Sequence, residues 1–182
     1  MPVHPLVHPL ARRSAILVAA ATMVALIPAA GQAAAPSPAP VKNEEAGWYL
    51  DSGGDSSAAK APTYTAKYTG EPASAPGNLK WSYDPATKLI KNEANGWYLG
   101  SGDDSSSAKA PAYTTKYTGD PASAPPQLKW SYDASTKLVK NEGNGWYLGS
   151  GGDDYGKAPA YTTKYTGSPA SAPAQLKWSI AS

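Results

Sequence analysis

The side chains of this sequence best suited to chemistry are aspartates that precede tyrosines in three related segments. An aromatic ring can pack against the apolar face of a sugar, and a carboxylate can accept hydrogen bonds from neighbouring hydroxyls. The pairs are Asp55 with Tyr64, Asp103 with Tyr113, and Asp153 with Tyr161. The pattern predicts three sites for a polyhydroxylated ligand. The alternative that the sequence leaves open is a solvated hairpin loop beside a structural tyrosine.

Catalysis and metal binding find little support in the residue types. The chain has no cysteine, and its two histidines, His4 and His8, both lie near the N-terminus. The rest of the chain lacks the usual general base and thiol nucleophile. A carboxylate pair could hydrolyse glycosides, but near-identical repeats would produce that pair three times, whereas an active site is normally single. The aspartates also lack the ordered spacing of a calcium loop. We therefore expect a protein that is not an enzyme and has no metal or cofactor.

Residues 1–35 have the features of a secretory signal peptide. Arg12 and Arg13 give a positive start, the apolar stretch 15–28 is too short to span a bilayer, and small residues follow. Residues 36–40 (PSPAP) predict a stiff, extended spacer. The sequence therefore predicts a secreted, extracellular protein and leaves open whether export uses the twin-arginine route.

The predicted mature chain carries no net formal charge. The 16 basic residues include Arg12 and Arg13, so 14 lysines remain against 14 acidic residues. A neutral surface without arginine is poorly suited to phosphate backbones or to anionic membranes. We expect no nucleic-acid partner and no membrane insertion.

A repeat of about 49 residues organises the mature chain. Trp48, Trp97 and Trp146 recur at that interval, and the segment KAPAYTTKYTG occurs unchanged at 109–119 and 157–167. The repeats cover 41–89, 90–138 and 139–182. Internal repetition of this kind indicates that one structural unit is stacked or closed on copies of itself.

Each repeat contains four short strand signals. The Asn95-Gly96 dipeptide predicts a two-residue hairpin turn. Trp130 alternates with polar neighbours and is predicted to be core, and Trp97 is predicted to pack in the core or at its rim. In the second repeat the predicted strands are 88–92, 97–101, 112–117 and 127–133. The loops containing Pro-Ala-Ser-Ala-Pro are predicted to be solvated extended connectors. Twelve strands in three copies predict an all-β, pseudo-threefold β-trefoil that spans 41–182.

The repeats resemble those of ricin-B-type lectins, a β-trefoil carbohydrate-binding family. The shared features include a Leu-Ile/Val-x-Asn opening strand and a Trp near the end of the fourth strand, here in Leu128-Lys129-Trp130. The resemblance makes Asp51 a sugar-binding carboxylate, because it follows the Leu of the second strand. Gly100 and Gly149 stand at that place in the other repeats. Where family members often carry a cystine, this chain has tyrosine pairs such as Tyr98 and Tyr117, which are expected to pack across the strands.

The sequence and the resemblance together predict a secreted, lectin-like module that binds carbohydrate or polysaccharide through up to three equivalent weak sites. The predicted site residues are Asp51, Asp55, Tyr64, Asp103, Tyr113, Asp153 and Tyr161. A different class of function stays open, namely a structural or protein-interaction β-trefoil, such as an inhibitor or a cell-surface protein.

Overall fold

The described part of the chain is built from strands and 3-10 turns, which confirms the all-β class. The structure is a computed structural model that describes residues 1, 37–45, 47–53, 59–102, 107–152 and 156–180. The predicted signal peptide lies outside these residues, apart from Met1. Within them, no helix is long and apolar enough to cross a membrane. The strands are β1 (Ala39–Pro40), β2 (Lys42–Asn43), β3 (Trp48–Asp51), β4 (Lys60–Pro62), β5 (Tyr64–Lys67), β6 (Lys80–Asp84), β7 (Leu89–Asn92), β8 (Tyr98–Ser101), β9 (Lys109–Thr115), β10 (Trp130–Asp133), β11 (Leu138–Asn141), β12 (Tyr147–Gly149), β13 (Lys157–Pro159), β14 (Tyr161–Thr163) and β15 (Trp178–Ser179).

The first and fourth strands of the repeats form a closed barrel. The fourth strand of each repeat pairs antiparallel with the first strand of the next, through Trp81↔Asn92, Trp130↔Asn141 and Trp178↔Asn43. Each fourth strand also contacts the first strand of its own repeat, through Pro40↔Lys80, Leu89↔Lys129 and Leu138↔Lys177. The last repeat therefore pairs with the first, which leaves no open edge in the barrel. Ala39–Pro40, at the end of the predicted spacer, take part in this pairing as β1.

The second and third strands form hairpins that meet at the threefold axis. Three backbone N–H groups close a cycle there: Thr63 donates to Ala112 O at 3.1 Å, Ala112 to Ala160 O at 3.1 Å, and Ala160 to Thr63 O at 2.9 Å. Small residues at the axis allow the three backbones to approach this closely. The barrel, the hairpin cap and the threefold repetition together confirm the predicted β-trefoil.

Tryptophan supplies the bulk of a core that contains no phenylalanine. Trp81, Trp130 and Trp178 are at most 1% exposed and pack against the leucines and β-branched residues of all three repeats. Each indole Nε1 also donates to the carbonyl of the second-strand leucine of its own repeat, such as Trp130 to Leu99 at 2.9 Å. Because a buried polar group is stable only when it is hydrogen-bonded, this bond permits an indole in the core. The prediction that Trp130 is core is confirmed, and Trp97 is also buried.

The asparagine of each opening strand is buried and ties two repeats together. Asn92 Nδ2 donates to the carbonyls of Asn78 and Lys80 at 3.0 and 3.1 Å, and its Oδ1 accepts from Ala94 N. Asn43 and Asn141 make the corresponding bonds. These amides satisfy backbone groups that the short strand pairings leave without partners.

The expected tyrosine pairs across the second and third strands are confirmed. Tyr98 and Tyr117 meet edge to face with ring centroids 6.2 Å apart, and the equivalent pairs lie at 5.9 and 6.2 Å. Edge-to-face pairs add stability beyond the apolar area that they bury. They join the second and third strands of each repeat in a chain without cysteine.

Two local predictions were wrong. The turn around Asn95-Gly96 is a four-residue loop, because Asn92 N donates to Trp97 O and Gly96 N donates to Asn92 O. Asn95 Oδ1 accepts from Trp97 N and stabilises this longer loop. The Pro-Ala connectors are also not simply extended, since each contains two 3-10 turns. These turns are Pro72–Ser74, Gly77–Leu79, Pro121–Ser123, Pro126–Leu128, Pro169–Ser171 and Ala174–Leu176.

Candidate functional site

Asp51 is a buried carboxylate at the end of β3. The residue is 4% exposed. Its Oδ1 accepts from Gly53 N at 3.0 Å and from Asn78 Nδ2 at 2.9 Å. Its Oδ2 lies 3.0 Å from Lys157 Nζ. Three segments thus meet at this carboxylate: the second strand of repeat 1, the turn before its fourth strand, and β13 of repeat 3.

Gly53 shapes the loop beside this carboxylate. Its φ of 75° is a backbone conformation that glycine adopts readily, and it directs the Gly53 N–H towards Asp51. A Cβ at this position would overlap the carbonyl oxygen of Pro62. The short connection after β3 therefore requires glycine, and it holds the carboxylate in a fixed orientation.

Tyr64 lies opposite Asp51 on the neighbouring strand, and Lys157 contacts both. The register of β3 and β5 pairs Asp51 with Tyr64. Lys157 Nζ lies 4.5 Å from the centroid of the Tyr64 ring and completes the ion pair with Asp51. The site of repeat 1 therefore combines a carboxylate, an amide, an ammonium group and a half-buried aromatic ring.

The corresponding tyrosines of repeats 2 and 3 have a different environment. A Cβ added to Gly100 would overlap the Tyr113 ring, and one added to Gly149 would overlap Tyr161. These rings occupy the space next to the positions at which repeat 1 has Asp51. Tyr113 packs against Leu128, and Tyr161 packs in the equivalent cluster of repeat 3. The corresponding apolar cluster of repeat 1 contains the equivalent residues Tyr49, Ala75, Leu79 and Tyr68, but Tyr64 is not part of it.

A lysine of the preceding repeat covers each tyrosine ring. Lys60 Nζ lies 3.6 Å from the centroid of Tyr113, and Lys109 Nζ lies 4.0 Å from that of Tyr161. An exposed cation–π contact of this kind contributes about 0.5–1 kcal/mol. A sugar that stacks on the same face must first displace the lysine, which lowers the affinity of each tyrosine for a ligand.

The structure brings together only part of the predicted site. Asp51 and Tyr64 are neighbours, and Tyr113 and Tyr161 occupy equivalent strand positions. Asp55, Asp103 and Asp153 lie outside the described residues, so their predicted role stays a prediction. Among the described residues, no group of three or more His, Cys, Asp or Glu side chains could hold a metal ion.

Sequence reasoning missed Asn78 and the lysines. Asn78 aligns with Gln127 and Gln175, so repeat 1 departs from its copies at the same two positions that form its site, 51 and 78. A comparison of the three repeats could therefore have identified Asn78 as a site residue. A comparison of the repeats could not have found Lys157, because the segment 157–167 that it begins is identical to 109–119 in repeat 2. Its contact with Asp51 also joins repeat 3 to repeat 1, which only the folded chain brings together.

Comparisons with solved structures identify the fold. The C-terminal half of an earthworm R-type lectin, solved with GalNAc, is 18% identical and has a TM-score of 0.53, over 80% of this chain and 98% of that one. A ricin B-like lectin of Macrolepiota procera, solved with lactose, is 14% identical with a TM-score of 0.56, over 82% and 98%. The designed threefold-symmetric protein ThreeFoil is 18% identical with a TM-score of 0.58, over 78% and 95%. No protein-family model and no curated protein matches the sequence.

The chain therefore has the ricin-B-like β-trefoil fold, and the resemblance seen in the sequence is confirmed at the level of the fold.

Proposed function

We propose that this protein is a secreted, non-enzymatic lectin-like module that binds carbohydrate at the site around Asp51. The observation that carries the proposal is the buried Asp51 carboxylate, which Asn78 and Lys157 hold in place beside the Tyr64 ring. Two of the similar folds were solved with GalNAc and with lactose, which supports this class of ligand.

Binding would exchange the contact between Lys157 and the tyrosine for a contact with the sugar. The Lys157 side chain is 48% exposed, so it can turn towards solvent when a sugar hydroxyl replaces it as the partner of Asp51. A pyranose could then place its apolar face on Tyr64. Its hydroxyls would donate to Asp51 and accept from the Asn78 amide, both of which are fixed before the ligand arrives. Preorganised partners reduce the ordering cost of binding.

The sites of repeats 2 and 3 contribute less in this proposal. Gly100 and Gly149 provide no carboxylate, and the tyrosines pack against the protein, so these repeats offer only weak contacts. Weak contacts still matter on a repeating polymer, because linked sites raise avidity by roughly 10²–10⁴ when they bind together. We therefore propose one principal site with up to two weaker ones, rather than three equal sites.

A glycan array together with a polysaccharide pull-down tests the proposal. We expect the protein to retain a defined set of glycans and Asp51→Asn to lose them. Asp120→Asn is a matched control, because Asp120 is an exposed carboxylate whose bond from Ala122 N an asparagine can also accept. A blank array with folded protein would instead favour the structural or protein-interaction function.

A further inference from the structure

Two outer grooves at the junctions between repeats are lined by equivalent residues. One lies between repeats 1 and 2 and has a volume of about 260 Å³, and the other lies between repeats 2 and 3 and has about 200 Å³. Serine, aspartate, threonine, leucine, lysine, tyrosine and proline line each of them. In chain order these are Ser82, Asp84, Thr87, Leu89, Lys91, Tyr98 and Pro121 in the first, and Ser131, Asp133, Thr136, Leu138, Lys140, Tyr147 and Pro169 in the second, which Tyr132 also lines.

The register of three strands explains why these residues meet. Lys91 on β7 pairs with Ser82 on β6 and with Tyr98 on β8, and Asp84 pairs with Leu89. Alternate residues of a strand point to the same face, so this set faces outwards while Trp81 and Ile90 face the core. The turn that begins at Pro121 adds an apolar wall. The second groove repeats the register through Ser131↔Lys140, Asp133↔Leu138 and Lys140↔Tyr147.

The carboxylate in each groove is held in place by its own turn. Asp84 accepts from Ala86 N at 2.9 Å and from Thr87 Oγ1 at 2.7 Å. Asp133 accepts from Ser135 N at 2.9 Å and from Ser135 Oγ at 2.6 Å. An ionised carboxylate has about four acceptor positions, so each can still accept from a ligand. Hydrogen bonds from Thr87 lower the pKa of Asp84, and those from Ser135 lower the pKa of Asp133 to about 2, so both are charged at neutral pH.

A donor and a ring complete each groove. Lys91 Nζ lies 5.9 Å from the Tyr98 ring centroid, and Lys140 Nζ lies 5.8 Å from that of Tyr147. Tyr98 and Tyr147 are half-buried, with buried Leu89 and Leu138 beside them. Each groove thus offers an apolar surface next to a fixed acceptor and an exposed cationic donor.

We infer that these two grooves each bind one pyranose residue of a carbohydrate, as a second class of site separate from the site around Asp51. The ligand class rests on the proposed function, but none of the residues is shared with the Asp51 site. The volumes are below the roughly 300 Å³ at which pockets for drug-sized ligands begin, so a single sugar unit is the appropriate size. The pyranose would lie against the tyrosine, donate hydroxyls to the aspartate and accept from the lysine.

The third junction differs from the other two in its residue types and in the burial of its described tyrosine. The residue aligned with Asp84 and Asp133 is Ala181, which has no carboxylate. The tyrosine at the equivalent position, Tyr49, is buried at 7% exposure. Among the described residues, the arrangement therefore occurs at two of the three junctions.

Titration of the isotopically labelled protein with D-galactose, D-glucose, D-mannose and N-acetyl-D-galactosamine, followed by amide chemical shifts, tests this inference. We expect at least one of these sugars to shift the amides of Lys91, Tyr98, Lys140 and Tyr147. The double variant Asp84→Asn, Asp133→Asn should weaken that binding at least about tenfold, since hydrogen bonds to charged groups are the strong ones. Asparagine can accept the same backbone bonds, so the turns should persist.

The controls separate this site from the proposed principal site. Glu71→Gln removes an exposed carboxylate at the third junction and should leave sugar binding in both grooves unchanged. Asp51→Asn should leave the sugar-induced chemical shifts of the groove amides unchanged. The double variant Lys91→Ala, Lys140→Ala should also weaken sugar binding in the grooves. Both lysines are exposed and lie outside the turns that hold Asp84 and Asp133, so this variant tests the grooves without disturbing those turns. Groove amides that respond to none of the four sugars would overturn the inference, and so would groove binding that survives both double variants. Groove binding with no response around Asp51 would overturn the proposed principal site instead.

Discussion

Trp130 Nε1 and the carbonyl oxygen of Leu99 are joined by a 2.9 Å hydrogen bond inside the core. The bond links the fourth strand of the repeat to its second strand, and Trp81–Leu50 and Trp178–Leu148 repeat it at 2.9 and 3.0 Å. It connects the barrel to the hairpin cap in every repeat. A core built on tryptophan therefore depends on a polar bond as well as on apolar area.

Trp130→Phe tests this dependence. The variant leaves the Leu99 carbonyl buried without its partner, which costs about 1–3 kcal/mol, and the smaller ring adds a packing loss. We expect a lower midpoint in urea denaturation, and an equal loss for Trp178→Phe. Variants that unfold at the wild-type urea concentration would show that the indole bond contributes nothing.

Thr63 breaks the pattern at the threefold axis in a way that lowers stability. Its hydroxyl is buried without a hydrogen-bond partner in the described structure, whereas Ala112 and Ala160 occupy the equivalent positions. Thr63→Val should raise the free energy of unfolding by about 1 kcal/mol, because it removes the unsatisfied hydroxyl at nearly constant volume. Thr65→Val is the matched control and should lower stability, since Thr65 Oγ1 donates to Ala158 O at 3.3 Å. Denaturation curves in which Thr63→Val is less stable than wild type would contradict the argument.

Removal of Lys157 should destabilise the protein more than removal of its counterpart in repeat 2. Lys157→Met leaves the Asp51 carboxylate, whose side chain is 6% exposed, without its ion-pair partner, at a cost of about 1–3 kcal/mol. Lys109 covers Tyr161 in the same way, but the position equivalent to Asp51 is Gly149, so Lys109→Met should change stability by only about 0.5 kcal/mol. Thermal unfolding of both variants measures the difference. Equal effects would mean that the ion pair does not stabilise the carboxylate.

Stability should fall in acid and change little near neutrality. Hydrogen bonds from Ser179 and Lys137 lower the pKa of Glu44, the Thr87 hydrogen bond lowers that of Asp84, and Ser135 lowers that of Asp133 to about 2. An unfolded carboxylate has a pKa of about 4. Between that value and the folded pKa, the unfolded chain binds more protons, so a falling pH favours unfolding.

Melting temperature as a function of pH measures this effect. We expect a plateau from about pH 5 to 8, because the predicted mature chain has no histidine, and a decline from about pH 4 towards pH 2. Asp133→Asn should make the decline shallower. A transition near pH 6 to 7 would contradict the account.

The repeat period and the spacing of Trp81, Trp130 and Trp178, at 49 and 48 residues, were sufficient to predict the trefoil, because three such units can bury their apolar faces in one shared core. The covering of Tyr64 by Lys157 could not be predicted, because barrel closure brings together residues that are far apart in sequence. The four-residue length of the loop at Asn95 was also not predicted, because it depends on the hydrogen bond from Trp97 N to the Asn95 side chain, which the Asn-Gly dipeptide alone does not reveal.

Isothermal titration with the glycan that the array selects, on wild type and on Asp51→Asn, tests the central claim most directly. Asparagine can still accept from Gly53 N through its Oδ1. It replaces the charged oxygen that faces Lys157 with an NH2 donor, but Lys157 can turn to solvent, so the variant should remain folded. We predict binding by wild type, an affinity at least about tenfold lower for Asp51→Asn, and an unchanged affinity for the control Asp120→Asn. A folded Asp51→Asn variant that binds the glycan as tightly as wild type would contradict the claim.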